Sequence, residues 1–176
     1  HPNPSPAHRE RGLFVERELI MLVIKRKGER FTVRAAGVCV RDGHVLLQTE
    51  GQLDFWILPG GRNEIGEPTA DTVQREMWEE TGLDVTVDDL LWVMENFFEH
   101  EGKAFHELGF YYRMMLPESF PSPLDYPEFI GQEGDKSLTF RWFPITEVEA
   151  LRLFPTYFRH ALGELPTSPV HVVHRD

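Results

Sequence analysis

The chain has 176 residues, 41% of them apolar, which suits one domain with a proper core and argues against disorder. Its 18 basic and 29 acidic residues give a net charge of −11, which speaks against general nucleic-acid affinity because that rests on phosphate neutralisation by Lys and Arg. The lone Cys39 rules out an internal disulfide and reads as a small buried hydrophobe suited to a reducing, cytoplasmic setting, while the longest apolar run, Leu19 to Ile24, is too short to span a membrane.

Residues 1–11, with three prolines and mixed charge, read as a flexible tail before a single domain over 12–165. Leu19 to Lys25 and Phe31 to Val40 form a predicted hairpin around Lys27-Gly28-Glu29, and Asp42-Gly43 leads a second one into Val45 to Thr49. Phe55 to Leu58 reads as a short strand ending at Pro59-Gly60-Gly61, followed by a helix from Pro68 to Thr81. Val85 to Phe98 is β-rich, with a turn expected at Asp88-Asp89, and Ala104 to Leu116 is another strand. Pro117 to Lys136 reads as a long acidic loop and Ser137 to Phe143 as the last strand. Pro144 to Leu153 and Pro155 to Leu162 read as helical, and residues 166–176 as a tail. Strands and helices mix without regular βαβ alternation, so the predicted class is α/β with a mixed sheet between helices.

Gly61 to Leu83 holds the chemistry. Ala70, Val73 and Met77 recur at helical spacing and give one buried stripe, and Gly82 is a natural left-handed stop. Glu76, Glu79 and Glu80 then crowd one helix face at i, i+3 and i+4, where like charges repel and the helix dipole is already negative. Such a local conflict suggests a compensating cation; the alternative is a solvated acidic face. Hard divalent ions such as Mg²⁺ take oxygen ligands of this kind.

The same stretch resembles the Nudix box of the Nudix hydrolases at each defined position: Gly61, Glu67, Arg75, Glu76, Met77, Glu79, Glu80, Gly82 and Leu83. The resemblance implies a Nudix-type α/β/α sandwich with a mixed β-sheet. It also implies metal-dependent hydrolysis of a P–O–P bridge in a nucleoside diphosphate-linked small molecule, with Mg²⁺, or Mn²⁺ in its place. By the same resemblance Glu76, Glu79 and Glu80 are the expected catalytic metal ligands, joined by the main-chain carbonyl of Gly60. Gly61, Glu67 and Arg75 are expected to be structural, Arg75 holding carboxylates by bidentate hydrogen bonds. Glu133, in the long loop, and Glu107 are both candidates for the general base, ahead of Glu95 and Glu99. Arg34 is read either as a phosphate contact or as a solvated strand-end cation. Phe55 is a candidate to stack on a nucleobase, and His100 and His106 are weaker phosphate candidates.

Subfamily markers act by absence. The proline common in ADP-ribose pyrophosphatases beyond the box is replaced by Phe98-Glu99, and the tyrosine of diadenosine polyphosphate hydrolases by Glu99 to Glu101. What remains is a general class acting on nucleoside di- or triphosphates or related compounds. The alternatives are a non-catalytic Nudix-fold nucleotide-binding or regulatory module, and hydrolysis at RNA 5′ ends, which the acidic charge disfavours. The apolar N-terminal hairpin is a candidate homodimer surface.

Overall fold

Two acid–glycine pairs with positive φ, Asp42-Gly43 (49° and 72°) and Glu101-Gly102 (51° and 69°), set tight hairpins in the strand-rich chain. The computed structural model describes residues 21–176. The tail expected over 1–11, the start of the domain expected from residue 12, and the first residues of the predicted Leu19 to Lys25 strand lie outside the described residues. Ten strands follow: β1 (Val23–Arg26), β2 (Glu29–Val38), β3 (Val40–Arg41), β4 (His44–Glu50), β5 (Gly60–Arg62), β6 (Thr86–His100), β7 (Lys103–Met115), β8 (Glu128–Glu133), β9 (Lys136–Pro144) and β10 (Val170–Arg175). Helix α1 (Thr69–Thr81) lies between β5 and β6, while a 3₁₀ helix (Ile145–Ala150) and the short α2 (Phe158–Ala161) follow β9.

The strands form a six-stranded sheet in the order β1-β2-β7-β6-β10, with β5 also on β2, and a four-stranded sheet in the order β3-β4-β9-β8. The larger sheet is mixed: β2 runs parallel to β7 and β10 parallel to β6, whereas β6 and β7 are antiparallel. The smaller sheet is antiparallel throughout. Helices and sheets enclose two apolar clusters. In one, Val73 and Met77 of α1 pack with Ala35, Leu46, Met114 and Phe140. In the other, Val148, Leu153, Phe158 and Leu162 pack with Trp92, Met94 and Tyr111. The mixed α/β architecture matches the expected class.

Several predicted elements change form. Pro68 stands one position ahead of α1, as an extended N-cap (φ −61°, ψ 139°), while Gly82 closes the helix in the left-handed region (φ 71°) with its N–H on Trp78. Asp88-Asp89 makes no turn. The register of β6 on β7 shifts there instead, so a bulge turns both exposed acids to water within one continuous strand. Phe55 to Leu58 makes only single bridges, Ile57 with Gln48 and Trp56 with Leu153. The end of the long acidic loop is β8, paired with β9, so Glu133 is a strand end and not a loop residue. Residues 166–176 are not a tail throughout, because Val170–Arg175 pairs with Trp92–Phe97 as an edge strand of the larger sheet.

Candidate active site

Three glycines permit the close approaches around the site. Gly60 (φ 144°) lies against the backbone of Ala35 and Ala36, and a Cβ on Gly61 would fall on the Glu76 carboxylate. A Cβ on Gly131 would come within 2.7 Å of the Glu80 carbonyl oxygen, so its absence lets β8 lie against the last turn of α1. Gly61→Ala is therefore expected to displace the Glu76 carboxylate, lowering activity at least about tenfold, while stability falls by about 1 kcal/mol, the low end of the range for overpacking, because the atoms met are the end of a flexible side chain. Steady-state assay and thermal melting of the purified variant would check both.

Arg75 organises the acidic face. Its Nε donates to Glu67 Oε1 (2.7 Å) and its Nη2 to Glu67 Oε2 (3.1 Å), a bidentate pair. The remaining guanidinium edge donates to Glu76 Oε1 (2.8 Å), Glu79 Oε2 (3.3 Å) and the Arg62 carbonyl (3.1 Å). Glu67 Oε2 also accepts from the Glu64 N–H (3.1 Å) and the Thr72 hydroxyl (2.7 Å). Asn63 completes the loop by donating to Thr72 Oγ1 (2.6 Å) and the Glu67 carbonyl (3.0 Å). Burial alone would raise the Glu67 carboxyl; the hydrogen bonds from Arg75, Thr72 and Glu64 outweigh it and hold the group below the usual carboxylate range.

Glu76 and Glu80 are buried at 7% and 6% exposure, whereas Glu79 faces out. Burial raises the Glu76 carboxyl despite Arg75 beside it. Burial, then the neighbouring Glu76, pushes Glu80 up to about 8. Glu80 Oε2 is buried with no hydrogen-bond partner, an arrangement that costs free energy unless something else meets it. Glu76, Glu79 and Glu80 line a groove of about 330 Å³ together with Glu133 and the exposed Trp78. The donor chemistry fits a hard divalent cation, although among the described residues no three acidic, histidine or cysteine side chains converge as a finished ligand set. Arg75 draws Glu76 and Glu79 to itself instead.

Arg34 acts on the acidic face from a second space. From β2 its Nη2 donates to the carbonyls of Gly60 (2.8 Å) and Leu58 (3.2 Å), and its charge opposes the raised carboxyls of Glu76, Glu80 and Glu107. It is therefore no solvated strand-end cation. Arg34 also lines a cavity of about 490 Å³ with Phe55, Asn96, Phe98, Glu107 and Phe154. Of the two sequence candidates for a base, Glu133 shares the groove with the box carboxylates, while Glu107 lies in the other cavity, where burial raises it and Arg34 and the Thr32 hydroxyl oppose that. His100 and Glu99 line the same cavity. His106 stacks on Phe97 (4.4 Å between ring centroids) outside both spaces, and Glu95 bonds His171 (2.9 Å). Cys39 is buried, and its thiol is pushed up to about 11 by that burial, as a structural cysteine should be. Sequence reading missed Asn63, Thr72 and Asn96. For Asn96 a signal existed, since it breaks an otherwise apolar strand phase of Trp92, Met94 and Phe98.

A family model described as the NUDIX domain matches residues 31–161. A MutT-like protein of Streptomyces ambofaciens is 46% identical over 66 residues, 37% of this chain and 43% of that protein. The chain thus spans about two fifths of the length of the curated relatives it matches, 43% and 37%. A MutT protein from Bacillus halodurans is similar in structure, with a TM-score of 0.54 at 24% identity, covering 81% of this chain and 89% of that one. An ADP-ribose pyrophosphatase from Streptococcus suis has a TM-score of 0.53 at 15% identity, covering 81% and 98%. At these identities the structural likenesses show the shared fold.

Proposed function

The chain belongs to the Nudix family, and from that premise we propose that it is a hydrolase cleaving the pyrophosphate bond of a nucleoside diphosphate-linked small molecule. Enzymes of this family generally use divalent metals. Here Glu76, Glu79, Glu80 and the Gly60 carbonyl would hold Mg²⁺, or Mn²⁺ in its place. Bound there, the ion would neutralise charge on the phosphoryl oxygens. The observation that carries the reading is Glu80, a carboxyl buried by the fold and unpartnered at Oε2 on the wall of an acidic groove.

The chain's own residues divide the remaining work. Arg34 lines the cavity and acts by its charge on Glu76 and Glu80, so it would orient a substrate phosphate near them. Glu133 would accept the proton of the attacking water as its oxygen bonds phosphorus and the bridging P–O bond breaks. Arg75 and Glu67 keep the box carboxylates in register. The buried Cys39 and net charge of −11 support cytoplasmic action on small nucleotides rather than nucleic acid. Among the described residues no helix is long and apolar enough to cross a membrane.

The test is product release across nucleoside di- and triphosphates, ADP-ribose, dinucleoside polyphosphates and nucleotide sugars, each with Mg²⁺ and with chelator. Cleavage of one class that chelator stops and added metal restores is expected; silence across the panel would remove the hydrolase reading. In the same assay Glu133→Gln should lower kcat by about 10²–10⁴, the usual contribution of a general base, with Glu107→Gln costing less. The reverse order would move the base to Glu107.

A further inference from the structure

A row of polar side chains crosses the larger sheet, and two of its members, Glu107 and Asn96, line the larger cavity. Thr32, Glu107, Asn96 and His174 are direct cross-strand neighbours on β2, β7, β6 and β10. Direct neighbours project from the same face of a sheet. Most of the row is accounted for: Thr32 donates to Glu107 (3.4 Å), and His174 bonds Thr156 and Asp176 (3.0 Å each). Asn96 is the exception. It is 3% exposed, and its Oδ1 is buried with no partner. A buried amide oxygen left unpaired costs about 1–3 kcal/mol, and Asn96 lines a space large enough for a planar ring.

The surroundings say what kind of ring. Phe55 and Phe154, edge to face at 5.8 Å, and Phe98, stacked on Phe105 at 4.9 Å, give the cavity aromatic walls. Arg34 lines the cavity, and its charge reaches Glu76 and Glu80 of the acidic groove. A cavity with aromatic walls, an unsatisfied amide oxygen and the Arg34 guanidinium, lined besides by Glu99, His100, Glu107, Arg152 and Asp176, matches a nucleobase carrying a phosphate chain. The walls accept any flat ring, whereas the amide accepts from and donates to one particular edge.

Resting on the hydrolase reading above, we propose that Asn96 is the specificity-determining residue, its amide hydrogen-bonding the edge of the substrate's base in the cavity bounded by Phe55, Phe98 and Phe154. A site built to hydrogen-bond a group discriminates strongly against ligands lacking it, because its own buried atoms are then left unpaired. Asn96→Leu, close in volume, removes both hydrogen-bonding atoms and should abolish the ranking of bases without touching the phosphate site.

Binding, not turnover, is the decisive readout. Calorimetry on the full chain would use methylene-bridged, non-hydrolysable nucleoside diphosphates of the four common bases, with base-free methylenediphosphonate as comparator. In the wild type the best base should bind at least about tenfold tighter than the worst, since each lost hydrogen bond in such a site is worth that much. In Asn96→Leu that advantage should fall to about threefold or less, with methylenediphosphonate affinity unchanged. Should the leucine variant fail to show a cooperative melt, Asn96→Ala takes its place with the same expectation. A folded variant that keeps the wild-type ranking, or a wild type indifferent to the base, overturns the proposal alone. Absence of binding for every probe overturns the nucleotide reading and this proposal with it.

Discussion

Glu80→Gln is expected to lower kcat about a thousandfold while raising the melting temperature of the metal-free protein at pH 8. The loss in rate corresponds to about 4 kcal/mol of transition-state stabilisation, the scale on which charge neutralisation at phosphorus operates. The gain in stability follows from burial. Glu80 titrates at about 8 in the folded protein against an ordinary value of 4.5, because burial, then Glu76, disfavours its charged form. A folded pKa raised in this way gives stability that is full below about 4.5 and is lost as pH rises through about 8. Glu76 and Glu107 are raised as well and add to the same slope. Chelator-treated wild type should thus melt lower at pH 8 than at pH 5.5. The glutamine variant should show a shallower slope and exceed the wild type at pH 8 by on the order of a few kcal/mol. Melting from pH 5.5 to 8.5 beside steady-state assays tests both halves. Near-normal turnover would remove Glu80 from the reaction, and an unchanged pH slope would show that its charge is not buried in solution.

The same residue shows why part of the site was legible in the sequence. Acids three and four apart on a helix can be read directly, because helical geometry fixes which side chains share a face. The hairpin at Asp42-Gly43 was marked by residues that tolerate positive φ, and Gly82 marked the helix end in the same way. What stayed hidden depended on pairing between distant segments. Val170–Arg175 resembles a tail until Trp92–Phe97 supplies its partner. Asp88-Asp89 resembles a turn until β7 holds the chain straight and absorbs the extra residue as a bulge. Glu133 became a groove residue only because β8 lies against the last turn of α1 at Gly131. Glu107 and Asn96, separated by a hairpin, become neighbours through strand register, which a propensity pattern does not encode. Local rules therefore found the carboxylates, whereas the cavity beside them is a product of topology.

Arg75→Ala carries the second large effect, on stability first. Its guanidinium serves Glu67, Glu76, Glu79 and the Arg62 carbonyl from one position, so its removal leaves several acids in mutual repulsion with only the Arg34 charge to oppose Glu76. Loss of one partner of a fully buried pair costs about 3–5 kcal/mol; with Arg75 21% exposed and Glu79 33% exposed at their side chains, solvent screening brings the expectation to about 2–4 kcal/mol. The pH dependence has the opposite sign to that of Glu80. Glu67 is lowered in the fold, so its contribution is full above 4.5 and is lost as pH falls through the folded value. The gap in stability between wild type and variant should accordingly be widest near neutral pH and narrow toward pH 3, which denaturant titrations across that range would measure. Turnover should fall at least about tenfold, since Glu76 and Glu79 lose the group that positions them. Arg75→Lys separates charge from geometry: a lysine restores the positive charge but cannot make the paired Nε and Nη2 bonds to Glu67 while also reaching Glu76. It should recover less than half of the lost stability. Full recovery by lysine would mean that the acidic face needs only a nearby cation, and that the planar fork of Arg75 is incidental.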